Sequence, residues 1–138
     1  MVLTQHIQLQ THGNTEIHDI TDQVAGAVSA AGLSDGIVTV FVQGSTGAVS
    51  TVEYEPGLVT DLQRFFERAA PQNIDYDHNR RWHDGNGHSH VRATLLGPSL
   101  TVPFTQGRLT LGTWQQIIFV DFDVRPRSRT LVVQILGE

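Results

Sequence analysis

The chain has 138 residues, 39% of them apolar and 17% charged, with no cysteine and a net charge of -5. That length suits one domain, residues 1–138, with a sizeable core. The charge argues against a broad phosphate-backbone binder, and no apolar run approaches the roughly 18 residues of a membrane span, so neither nucleic acid nor membrane is an expected partner. Without cysteine there are no disulfides, thiol nucleophiles or cysteine-based zinc sites. All nine basic residues are arginine, so no lysine is available as a Schiff base or general base. Cationic contacts to a substrate then fall to arginine, histidine or a metal. The segment Met1 to His6 has no basic region ahead of an apolar block, so no signal peptide is expected and the chain reads as cytoplasmic.

In chain order, residues 2–10 alternate, with Leu3, Ile7 and Leu9 on one face, which predicts a strand. His12-Gly13-Asn14 is a turn signal, and residues 16–18 suit a short strand. Thr21 is placed to cap a helix of about three turns, with Asp22 in its first turn, Val24, Ala25, Val28 and Ala31 at helical spacing and Gly32 as its stop. The β-rich run 36–42 predicts a buried strand, Gln43 to Gly47 breaks it, and residues 48–54 resume extended character. Pro56 opens a second helix, whose apolar stripe is Leu58, Val59, Leu62, Phe65, Phe66 and Ala69; Pro71 ends it. Residues 71–87 form a polar loop of about 15 residues, a length that is more often functional than accidental. Strands are then expected over 91–96, 100–104, 109–111, 116–122 and 130–136, with Gln106-Gly107 suiting a hairpin. The order predicts an α+β fold, an antiparallel sandwich-like sheet carrying two helices.

The strongest motif is Asp84-Gly85-Asn86-Gly87-His88-Ser89-His90, followed by the alternating Val91, Ala93 and Leu95. On a strand, side chains at i and i+2 share a face, so His88 and His90 would open into one space. Two imidazoles there could share a metal or bracket an anion, although zinc takes three or four ligands. The upstream His78 and Glu53 are the candidate partners. The competing reading is an imidazole that only donates to a backbone carbonyl. The glycines of residues 85 and 87 either present N–H groups to an anion or simply make a turn. Ser45 and Thr46 are candidate phosphate contacts in what is otherwise a loop between strands. Asp121 and Asp123 share a strand face and are expected to pair with Arg125, Arg127 or Arg129. Trp114 is expected in the core or at an interface. No G-x-S-x-G elbow, Walker A or Rossmann fingerprint occurs.

Gly85-Asn86-Gly87-His88-Ser89-His90, Leu95 to Thr101, Gly107-Arg108-Leu109, Leu111 to Gln115 and the closing Val132 to Glu138 together resemble the YjbQ family, also known as an uncharacterised protein family (UPF0047) and as secondary thiamine-phosphate synthase enzymes. The resemblance runs over nearly the whole chain. It implies a compact β-rich α+β fold, a homotrimer, and a site built on the motif histidines. It also implies a thiamine-phosphate synthase activity, in which a pyrimidine pyrophosphate joins a thiazole phosphate and pyrophosphate departs. His78 and Asn79 match the family's loop His-Asn, His88 and His90 its glycine-preceded pair, Glu53 its acidic residue, and Trp114-Gln115 its Gly-Thr-Trp-Gln turn. Many members carry a histidine where this chain has Gly44.

The resulting expectation is a catalytic set of His78, His88, His90 and Glu53, the three histidines holding a divalent metal such as Zn or Mg or touching the departing pyrophosphate. Glu53 would orient a histidine or complete the metal shell. Ser45, Thr46, Asn79, Asn86, Gly87, Arg92 and Gln115 are the expected contacts to a small anionic or phosphorylated metabolite, with Arg80 or Arg92 clamping phosphate. The alternatives are a non-catalytic trimeric binding protein for a divalent metal or anionic metabolite, and a structural subunit with its histidines buried.

Overall fold

A computed structural model describes residues 1–138 as an α+β fold with two antiparallel sheets and four helices. The strands are β1 (Val2–Thr11), β2 (Glu16–Asp19), β3 (Gly36–Val42), β4 (Gly47–Val52), β5 (Ser99–Thr105), β6 (Arg108–Leu109), β7 (Gln116–Asp121) and β8 (Arg127–Gly137). The helices are α1 (Thr21–Ala31), α2 (Pro56–Ala69), α3 (Asp77–Trp82) and α4 (Gly87–Leu96). The larger sheet runs β1-β8-β3-β5-β6 and the smaller β2-β7-β4. The first and last strands are neighbours, Val2 facing Leu136, and the Met1 ammonium donates to Gly137 O at 2.8 Å.

Alternation along the strands decides the layering. Val38, Val40 and Val42 of β3 and Leu131, Val133 and Ile135 of β8 point into a core shared with Val49, Ile117 and Phe119 of the smaller sheet and with Val24 and Val28 of α1. The intervening residues of the smaller sheet, Ala48, Ile118 and Val120, meet Phe66 of α2 and Ala93 of α4 in a second cluster. Strand β7 is therefore apolar on both faces because both faces are covered, which is why Ile117 to Val120 reads as an unbroken hydrophobic run. Phe66 and Phe122 seal the second cluster edge to face, with ring centroids 4.8 Å apart.

The strand expectations hold to within a few residues, with one exception. Residues 91–96 are not a strand; they lie in helix α4. After the buried Gly87 at its start, the buried positions of α4 are His88, Ser89, Arg92 and Ala93, the i, i+1, i+4, i+5 spacing of a helix. The apparent alternation of Val91, Ala93 and Leu95 is incidental, since Val91 and Leu95 are exposed while Ala93 is buried. The polar loop also folds in part, as the short helix α3, so the count is four helices rather than two. At α1, Thr21 is the first helical residue rather than the cap, and Asp19 Oδ1 accepts from its N–H and its hydroxyl. Helix α2 begins with Pro56 as expected, capped by Glu55, whose carboxylate accepts from the N–H groups of Gly57 and Leu58. No helix is long and apolar enough to cross a membrane.

Candidate functional site

Helix α4 organises the site. It starts where Gly87 packs against Tyr76; a Cβ at residue 87 would lie 2.5 Å from Tyr76 Cβ, so only glycine allows this approach. Asn79 Oδ1, from α3, accepts from Gly87 N–H at 2.8 Å and caps the helix from its neighbour. That frees the Asn86 side chain, whose Nδ2 donates to Asp123 Oδ2 at 3.2 Å and whose Oδ1 accepts from Val124 N–H at 3.3 Å. The start of α4 is thus tied to the chain just beyond β7.

On a helix each residue turns about 100°, so His88 and His90 stand about 200° apart and cannot share a face. The expected pair is split. His88 is 1% exposed, with its Nδ1 buried and unpartnered and its Nε2 3.5 Å from Ser89 Oγ. Burial, then the nearby Arg92 charge, pushes its pKa below the usual histidine value, so the ring is held neutral. His90 stays partly exposed, its ring centroid 4.4 Å from that of His78, whose Nδ1 lies 3.4 Å from Asp84 Oδ1.

His90 lines a hollow of about 360 Å³ whose ten lining residues include no hydrophobic one. The Gly44-Ser45-Thr46 loop forms one wall; Asp84, Asn86 and His90 form the second; Asp123, Arg127, Ser128 and Arg129 form the third. Beneath it runs a buried ionic network. Arg129 lies side-on to Asp121, with Nε 2.9 Å from Oδ2 and Nη2 2.9 Å from Oδ1. Thr11 donates to the same Asp121 carboxylate. Arg129 Nη2 also donates to Thr46 Oγ1 at 2.8 Å, and Thr46 passes a hydrogen bond to Asp123 Oδ2 at 3.0 Å. Arg127 donates through Nε to that same oxygen at 3.2 Å, with Nη2 in ion-pair contact 3.1 Å from it. Burial raises the Asp123 pKa, but the Arg125 N–H, Asn86, Thr46 and Arg127 outweigh it and hold the carboxyl below its usual range. The expected pairing of Asp121 and Asp123 with Arg127 and Arg129 is present; Arg125 contributes only its backbone N–H.

Of the remaining expected residues, Ser45, Thr46 and Asn86 line the hollow, while Asn79 and Gly87 build the start of α4. Arg92 is not a phosphate clamp. It is buried and fully engaged, donating to Ala70 O, Thr15 Oγ1 and Glu67 Oε2. Arg80 stands exposed in ion pairs with Asp75 and Asp77. Glu53 is exposed just past the end of β4, with no hydrogen bond or ion pair to a histidine. Gln115 braces its own turn, accepting from Gly112 N–H and donating to Thr51 Oγ1. Trp114 is 73% exposed and so is no core residue.

No group of three or more His, Cys, Asp or Glu side chains is placed to hold a metal ion. The triad of His78, His88 and His90 does not fit one, because His88 turns away from the other two. The residues that sequence reasoning left out of the site are Asp84, Asp123, Arg127, Ser128 and Arg129. The i, i+2 spacing of Asp121 and Asp123, followed by that of Arg127 and Arg129, was the signal available: two pairs of opposite charge where β7 ends and β8 begins.

Residues 5–138 match the model of the family described as "UPF0047 protein YjbQ-like". A UPF0047 protein of Methanothermobacter thermautotrophicus is 40% identical over 99% of this chain and 94% of its own length. One from Archaeoglobus fulgidus is 42% identical over 94% of this chain and 98% of its own. Among solved structures, a YbjQ-like protein of unknown function from Sulfolobus solfataricus is 34% identical, covers both chains fully and superposes with a TM-score of 0.90. A hypothetical protein from Aeropyrum pernix is 35% identical over 99% of each chain, with a TM-score of 0.91.

Proposed function

The chain belongs to the UPF0047 YjbQ-like family, and from that premise we propose that it binds a small phosphorylated metabolite in the polar hollow, with His90 moving a proton at the phosphate. The observation that carries this is the convergence, in one all-polar hollow, of two arginines, a hydroxyl-bearing Gly-Ser-Thr loop and a solvent-reached imidazole. Arginine is the preferred partner of phosphate oxygens, and an imidazole that solvent reaches is a group suited to proton transfer. His78 and Asp84 flank His90 at the edge of the hollow. The reaction class implied by the family resemblance is thiamine-phosphate synthesis, in which His90 would protonate the departing pyrophosphate.

A second reading is favoured by one feature: His90 is the one histidine lining the hollow, because residue 44 is glycine and His88 is sealed inside. A lone imidazole suits a protein that holds an anionic metabolite without turning it over. Coupling assays and calorimetry with thiamine phosphate and pyrophosphate separate the two readings. Turnover that falls about 10²-fold or more in His90→Gln supports catalysis. Binding without turnover supports the second reading, and no binding of either ligand rejects both.

The homotrimer belongs to this proposal as well. It is supported by the outer face of the larger sheet, where β1, β8, β3 and β5 present no Asp, Glu or Arg, and where Val2, Leu136, Ile37 and Pro103 form one cross-strand row. Charge depletion of this kind marks interface cores. Light scattering on the purified chain is the check, and a monomer at micromolar concentration rejects it.

A further inference from the structure

We propose that the Gly44-Ser45-Thr46 loop and Arg129 form an oxyanion subsite that seats one phosphate group at the notch left by Gly44. This deepens the reading of the hollow given above and rests on it. Three observations converge there.

The first is the notch. Gly44 has φ +152°, a region closed to residues with a side chain, and a Cβ at residue 44 would stand 3.2 Å from Arg129 Nη1. With hydrogen in its place, nothing from this loop covers that guanidinium nitrogen. The second is the state of Arg129. Its Nε and Nη2 are committed to Asp121 and Thr46, but Nη1 donates to no atom of the protein, although the side chain is only 10% exposed. A guanidinium held rigidly on one edge and free on the other is prepared for a second acceptor. The third is the loop backbone. No carbonyl or side chain of the chain accepts from the N–H of Gly44, Ser45 or Thr46, although Thr46 is buried. Buried backbone donors are normally paired, and consecutive free N–H groups are the usual makings of an anion cradle.

Asp121 does not spoil the subsite. It sits on the committed edge of Arg129, behind the wall of the hollow, and fixes the guanidinium so that its free edge faces the notch. Asp84 and Asp123 line the same hollow and set the anion's limits. Asp123 already accepts from Arg127, Asn86 and Thr46, and Asp84 accepts from Asn86 N–H. The subsite therefore suits a single compact tetrahedral oxyanion, such as the terminal phosphate of a monoester or of pyrophosphate, rather than an extended polyanion.

The test uses the full chain with pyrophosphate as the probe, measured by calorimetry at low salt, together with Gly44→Ala, Ser45→Ala and His90→Gln. Gly44→Ala is expected to weaken pyrophosphate binding at least tenfold by filling the notch, Ser45→Ala about threefold, and His90→Gln less than either. Binding by the parent chain that is unchanged in Gly44→Ala and Ser45→Ala overturns the subsite while leaving the hollow as an anion site. No binding by the parent chain overturns both. Because Gly44→Ala strains the backbone, a phosphate soak of parent crystals gives an independent result. Phosphate oxygen within hydrogen-bond reach of Arg129 Nη1 supports the subsite, and phosphate elsewhere in the hollow rejects it.

Discussion

Along α4, two histidines only two residues apart meet opposite environments. The inner side of the helix carries His88, Ser89, Arg92 and Ala93 against α2 and the smaller sheet, where every one of them is buried. The outer side carries His90 to the edge of a polar hollow, beside His78 and Asp84. The inner imidazole is desolvated and kept neutral by burial and by Arg92, whereas the outer one is partly exposed and stands against His78. The difference teaches that residue type alone did not assign these roles; the angular position on the helix did. It divides the motif into a half that holds the fold and a half that is open to chemistry.

The largest expected effect attacks the floor of the open side. Asp121→Ala leaves the Arg129 guanidinium buried without its carboxylate, and should cost about 3–5 kcal/mol in urea unfolding. On the sealed side, Arg92→Ala strands the Ala70 carbonyl and the Thr15 hydroxyl and opens a cavity, for an expected loss of about 2–4 kcal/mol with the hollow intact. A loss below about 1 kcal/mol there would show that the inner side is not the structural half.

The next experiment sharpens the contrast between the imidazoles. The folded-state pKa of His88 lies below its unfolded value of about 6.5, so the unfolded chain takes up the proton first as pH falls. The contribution of a neutral His88 to stability is complete above that value and is lost as pH drops from about 6.5 towards the folded pKa. His88→Leu should therefore flatten the fall in Tm between pH 7 and 5. A slope unchanged in His88→Leu would erase the distinction. The smallest effect is expected from Glu53→Gln, which should alter neither Tm nor ligand affinity, since the side chain is exposed and bonded to no histidine.

The sheets were legible because their strands carry clear signals. Residues 36–42 and 116–122 are unbroken β-rich runs, and Gln106-Gly107 closes the β5–β6 hairpin as its turn chemistry implies. Helix α2 was equally plain from Pro56 and its wide apolar stripe. Helix α4 was not, because Val91, Ala93 and Leu95 alternate over a stretch too short to separate a period of 2 from one of 3.6, and because its inner face is partly polar: His88, Ser89 and Arg92 are buried by partners distant in sequence. The same limit hid most of the hollow. Ser45, Thr46, Asn86 and His90 stood out in the sequence, but the wall of Asp123, Arg127 and Arg129 comes from the chain just beyond β7 and from β8 and joins them only through the fold. Arg92 misled for the reverse reason, since its closeness to the motif in sequence gave no sign that Glu67 and Thr15 would claim it.

Strand β1 pairs along its whole length with β8, Val2 opposite Leu136 and Thr11 opposite Arg127. During synthesis β1 therefore leaves the ribosome with no hydrogen-bonding neighbour, and gains one only when β8 has been made. Arg127 and Arg129 arrive on that same strand, so the ionic floor of the hollow cannot form before it, and a chain cut short before β8 would lack both the partner of β1 and its cationic wall.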